Sequence, residues 1–241
     1  MTDTLPDPTP ELTAGLAGQA ALVVGADRGV GPEVVAALAA AGVRLALDAP
    51  LVDGAVLVEE VDPVAQVHRA AEALGGLQVF VLCPPPVKNK PVLDWTAEEI
   101  RPVIESELTA AILQMQAAAR LMTDAGYGRI VSMLSMSGKA GVHEGVAPYA
   151  AAKAGMMSFM RVLAAETAGQ GVTVNGIATA LFEPQTRTMT EEKRERLRGQ
   201  VPVGRFGRSV EAAHAVLYLA SPLAGFVTGE CLNLSGGRFM D

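Results

Sequence analysis

Apolar residues along this chain fall into short continuous runs, separated by stretches in which they recur at every third or fourth position. The runs near 20–24, 43–47, 55–58, 78–82, 129–134, 172–177 and 231–234 read as strands, because a strand buried on both faces has no polar side to show. The stretches near 32–41, 63–74, 97–122, 148–168 and 209–220 carry helical spacing, as in Val34, Val35, Leu38 and Ala39. Their alternation predicts an α/β fold built on one doubly wound parallel sheet. No period of the repeat type and no low-complexity tract interrupts it beyond the amino terminus. Residues 1–15, rich in Thr, Pro and Asp, read as a flexible lead-in, and 16–241 as a single domain. Thr188 and Glu191 have the spacing of a capping box, opening a charged helical segment over 191–198.

Composition narrows the function. Of 241 residues half are hydrophobic, enough for one sizeable core, and the net charge is -7. That charge opposes a nucleic-acid partner, which clustered Lys and Arg would have to hold. No apolar stretch reaches the roughly 18–20 uninterrupted residues of a membrane helix, and the amino terminus lacks the basic-then-apolar layout of a signal peptide, so a cytoplasmic protein is expected. Cys83 and Cys231 lie far apart and read as buried thiols. His68, His143 and His214 are scattered, and no metal site is expected. Met133, Met136, Met156, Met157 and Met160 suit a core or a subunit contact.

Three segments carry chemistry. The run 20–24 leads into Gly25-Ala26-Asp27-Arg28-Gly29-Val30-Gly31 and then into helical spacing. A glycine turn of that kind lets backbone approach a pyrophosphate and aims a helix N-terminus at its charge. The run 129–134 ends in Ser135, Ser137 and Gly138, placing a serine at a strand's carboxyl end, where α/β sheets bind ligands. Tyr149 and Lys153 stand at i and i+4, so on a helix they share a face. A lysine cation beside a phenol favours the phenolate and draws the pKa down toward neutrality, which makes the phenol a usable acid/base.

Together these segments resemble the short-chain dehydrogenase/reductase family, a Rossmann-like fold, over about 16–240. The resemblance implies Gly25, Gly29 and Gly31 as cofactor glycines and Ser135, Tyr149 and Lys153 as catalytic residues, with Ser135 preferred to Ser137 and Lys153 also binding the cofactor's ribose. It implies hydride transfer between NAD or NADP and a secondary alcohol or ketone. It also implies an oligomer, a dimer or tetramer with itself or a related subunit, and a substrate lid over the segment around 191–198. His143 and Glu144 would border the substrate.

The departures gather on the cofactor side. The family's Asn-Asn-Ala-Gly is replaced by Leu82-Cys83-Pro84-Pro85, with Pro86 after it, and prolines remove backbone donors. The family's Pro-Gly becomes Thr179-Ala180. The acid expected at the ribose aligns with Ala49, leaving Asp48 one position early. The link from Asp48 to Ala55 is too short for a crossover helix. Glu107 stands where an asparagine is usual; its carboxylate favours a charged Lys153 and opposes a Tyr149 phenolate, leaving open whether it relays protons. Arg28 would welcome a 2′-phosphate and Asp48 repel one, a slight lean to NAD. Two readings remain from the sequence: a working oxidoreductase, or a non-catalytic partner subunit with an eroded cofactor pocket.

Overall fold

The computed structural model describes residues 13–85, 87–140 and 143–240. Most of the 1–15 lead-in and Pro86 lie outside the described residues. In chain order the elements are β1 (Ala20–Val24), α1 (Gly31–Ala40), β2 (Arg44–Leu47), β3 (Val56–Leu57), α2 (Pro63–Leu74) and β4 (Val79–Leu82). There follow α3 (Ala97–Ile104), α4 (Ala110–Ala125), β5 (Gly128–Ser135), α5 (Met136–Lys139) and α6 (Ala147–Thr167). The chain ends in β6 (Val172–Thr179), α7 (Glu183–Thr186), α8 (Glu191–Arg198), α9 (Ser209–Ala220) and β7 (Cys231–Leu234).

The strands form one seven-stranded sheet in the order β3-β2-β1-β4-β5-β6-β7, and every pairing is parallel. Helices cover both faces, which is why β1, β4 and most of β5 and β6 are buried at successive positions. One core joins α2, α4 and α6 to the sheet through Phe80, Met115, Ile130 and Met156; the other joins α1 and α9 through Val34, Leu38, Val131 and Val216. All five methionines singled out above are buried, as are both thiols, which are free. The strand order reverses between β1 and β4, so a crevice opens at their carboxyl ends. No helix among the described residues is long and apolar enough to cross a membrane.

Local signals explain most boundaries. Asp62 caps α2 by accepting a hydrogen bond from Ala65 N at 2.7 Å, and Gly75 ends that helix with φ 69°. Thr96 and Glu99 form a capping box on α3. Parallel neighbours β2 and β3 are linked by 48–55 without a helix, shorter than the about a dozen residues such a crossover usually takes.

Two expectations need correction. The single helix over 97–122 is in fact α3 and α4 joined by a π turn over Glu105–Thr109, in which Ala110 N donates to Glu105 O. One extra residue rotates the helix face by roughly 100°; it follows Pro102 in the last turn of α3 and leaves Glu107 pointing inward. Thr190, not Thr188, caps α8, its hydroxyl accepting from Lys193 N at 3.4 Å, because the helix starts later than a box at Thr188 requires.

Candidate active site

The glycine turn bends out of β1 with Gly25 at φ 76° and Gly29 at φ 56°. A Cβ on Gly25 would lie 2.1 Å from the Cys83 carbonyl oxygen, and one on Gly31 would lie 2.4 Å from Gly25 O and 2.5 Å from Ala26 O. Both must therefore be glycine for the turn to sit against β4 and for α1 to begin on top of it. Nothing lies within 4 Å of the Gly29 Cβ direction, so backbone there is open to a ligand facing the start of α1. This open turn, with the Gly29 backbone uncovered ahead of α1, fits the pyrophosphate of a dinucleotide. Arg28 lies beside it, 44% exposed and 3.5 Å from Asp27.

Asp48 behaves differently from a ribose ligand. Its two carboxylate oxygens accept the amides of Gly25 at 2.7 Å and Ala26 at 2.8 Å. The carboxylate that stands one position early in the sequence turns inward and pins the turn. Cys83 donates its amide to Val24 O at 2.8 Å and so ties the end of β4 to β1. Burial, then the Asp48 charge, push its thiol up to about 12. Pro84 and Pro85 follow, half-buried and without donors.

Ser135, Tyr149, Lys153 and Glu107 are brought together. Ser135 ends β5 and caps α5, its Oγ accepting Ser137 N at 3.1 Å. Tyr149 and Lys153 sit on α6. A Cβ on Gly138 would lie 2.7 Å from Ala154 N and from Lys153 Cβ, so that glycine lets α5 rest on α6 at the lysine itself. Gly138 is the residue whose role spacing alone does not reveal. The two serines separate cleanly: the Ser135 side chain hydrogen-bonds the phenol, while Ser137 Oγ lies 2.7 Å from His143 Nδ1.

Lys153 is 1% exposed and Glu107 4%. Lys153 Nζ lies 2.8 Å from Glu107 Oε2, 3.4 Å from Met133 O, and 5.5 Å from the centre of the Tyr149 ring. Glu107 Oε2 is off the line of a directed hydrogen bond, so the contact is a charge pair inside the protein. The expected acidified phenol is not found. Burial first, and the Glu107 carboxylate second, push the Tyr149 hydroxyl above its usual range; only the Ser135 hydrogen bond works the other way. The lysine charge is matched by Glu107 at contact distance, so little of it reaches the phenol.

A glycine turn at a switch point and a Ser-Tyr-Lys cluster on the adjoining strand and helix define a nucleotide-dependent oxidoreductase class. A family model described as enoyl-(acyl carrier protein) reductase matches residues 58–238. The chain belongs to the short-chain dehydrogenase/reductase family and is an oxidoreductase that works with a nicotinamide dinucleotide. It is 33% identical to the 3-oxoacyl-[acyl-carrier-protein] reductase FabG of Escherichia coli (strain K12), over 92% of this chain and 98% of that one. It is 34% identical to the acetoacetyl-CoA reductase of Shinella zoogloeoides, over 91% and 98%. Among solved structures, TT0495 protein from Thermus thermophilus superposes with a TM-score of 0.84 at 34% identity, over 91% and 98%.

Proposed function

We propose that the chain interconverts a ketone and a secondary alcohol, with Tyr149 moving the proton, Ser135 orienting the carbonyl and the Lys153–Glu107 pair setting the charge behind them. The observation that carries this reading is the meeting of Ser135, Tyr149 and Lys153 at the carboxyl edge of β5, beside the crevice that the glycine turn enters. A bound nicotinamide dinucleotide supplies the hydride. Gly25, Arg28, Gly29 and Gly31 hold its phosphates, and Asp48 fixes the turn that does so. In the reducing direction the high phenol pKa is an advantage, because Tyr149 stays protonated across neutral pH and donates to the forming alkoxide. Ser135 donates to the same oxygen and keeps it facing the phenol. In the oxidising direction Tyr149 has to be a phenolate, so the rate climbs with pH.

Both curated relatives are named for 3-oxo thioesters, which supports a 3-oxoacyl thioester as the ketone. NAD is favoured over NADP, because the Asp48 carboxylate held against the turn would repel a 2′-phosphate and Arg28 stands beside Asp27. Subunit pairing is supported by Tyr218, Leu223 and Phe226, all exposed within a short stretch at the end of α9 and beyond it.

The test is consumption of NADH and of NADPH with acetoacetyl-CoA, each followed by absorbance. NADH should give the higher kcat/KM; no turnover with either, on a folded protein that binds dinucleotide, would remove the ketone reading. Asp48→Ala leaves two turn amides without their acceptor, at about 1–3 kcal/mol each. Dinucleotide affinity should fall about tenfold or more. Tighter binding in that variant would mean that the carboxylate obstructs the ligand instead of shaping its seat.

A further inference from the structure

A cavity of about 470 Å³ opens between α7, α8 and the segment leading to α9. Four arginines reach it from three places: Arg187 after α7, Arg194 and Arg198 from α8, and Arg205 before α9. Arg194 and Arg198 are i and i+4, so one helix face explains that they share a side. Helix propensity does not explain why Arg187 and Arg205 converge on the same space. Thr186 adds a hydroxyl and Phe206 a ring, over which the Arg198 guanidinium lies at 5.9 Å. Glu183 is the one acid on the wall.

The partners of these cations are unequal. Arg205 is held by both oxygens of Glu211, at 2.9 and 2.6 Å, which fixes the floor. Arg194 and Arg198 pair with Glu191 at 3.5 and 3.9 Å, and Arg198 also with Glu195. Glu191 and Glu195 are 73% and 67% exposed, so these are surface pairs of small worth, easily exchanged for a better anion. Arg194 Nε is buried and has no acceptor among the described residues. Arg187 has no carboxylate within 4 Å among them either. A wall of guanidinium forks with spare donors matches a phosphate, whose oxygens accept two parallel bonds from each fork.

We infer that this cavity binds a phosphate group. Resting on the thioester reading above, its source is the substrate's own carrier, since coenzyme A and carrier-protein pantetheine both bear a phosphate on the far side of the thioester; a free phosphate compound is the other source of the same chemistry. The cavity follows directly on β6, whose last residue Thr179 pairs with Ser135, so it lies on the same edge of the sheet as the candidate catalytic group.

Two arms test this. In the first, inorganic pyrophosphate is titrated calorimetrically, with NADH saturating the glycine turn, into the full chain and into Arg187→Ala, a variant that breaks no ion pair among the described residues and should keep its melting temperature. Affinity should fall about tenfold in the variant and weaken with salt in the parent. Equal affinity in the two proteins, or no binding to the parent, overturns the proposal, and neither result depends on turnover. In the second, KM is compared for acetoacetyl-CoA and for its phosphate-free N-acetylcysteamine analogue. A KM rise in Arg187→Ala confined to the coenzyme A thioester assigns the phosphate to the substrate. Lost pyrophosphate binding with both KM values unmoved assigns it to a separate phosphate compound and leaves the ketone reading intact.

Discussion

Tyr149→Phe should lower kcat by about 10²–10⁴-fold, the usual contribution of a positioned acid, while leaving dinucleotide affinity nearly unchanged. The ring is 9% exposed and packs between Ser135 and Lys153, and phenylalanine keeps its shape, so only the transferable proton goes. The hydroxyl also accounts for the expected pH behaviour. Burial and Glu107 hold its pKa up, so reduction by the parent should be flat across neutral pH and alcohol oxidation should climb through the alkaline range. The variant's residual rate should lose that climb. Single-turnover measurements with saturating dinucleotide separate this from a binding defect. Full rate retained in Tyr149→Phe would show that another group carries the proton.

Much of the scaffold is legible before any coordinates, and the reason is physical. Strands in a parallel sheet covered on both faces have to be apolar along their length, so β1, β4, β5 and β6 stand out as runs, and α2 and α6 follow from their spacing. The site is legible in part. Tyr149 and Lys153 share a face because α6 is regular, and Ser135 reaches them because it ends β5. What spacing does not carry is the neighbour brought in from elsewhere. Apolar periodicity runs through 97–122 without a break and hides the π turn that aims Glu107 at Lys153; the opposition of that carboxylate to the phenolate is legible, but the burial that raises the phenol pKa most is a property of the packed fold. Asp48, one position early for the ribose acid, likewise shows what it does only when the Gly25 and Ala26 amides are seen to claim both its oxygens. The four arginines are scattered over 187–205, and only the packing of α7, α8 and the approach to α9 brings them to one cavity.

Glu107→Gln should produce the second large effect, and it should appear in stability and in the pH profile together. The variant leaves the Lys153 cation buried at 1% exposure without its partner, a loss of about 3–5 kcal/mol, or a fall in Tm on the order of 10 °C for a chain of this length. Adding Lys153→Met should recover much of that loss, because two neutral side chains no longer strand a charge; the double-mutant cycle isolates the pair. The same single substitution removes the carboxylate that raises the Tyr149 pKa and leaves the lysine charge to act on the phenol. The alkaline climb of alcohol oxidation should then move to lower pH and the rate near neutrality should increase, although the protein is less stable. A merely structural Glu107 would lower Tm and leave the position of the climb where it was. A fall in rate at every pH with the climb unmoved would instead make the carboxylate a proton carrier between Lys153 and water, and would overturn its assignment as the charge that, after burial, raises the phenol pKa.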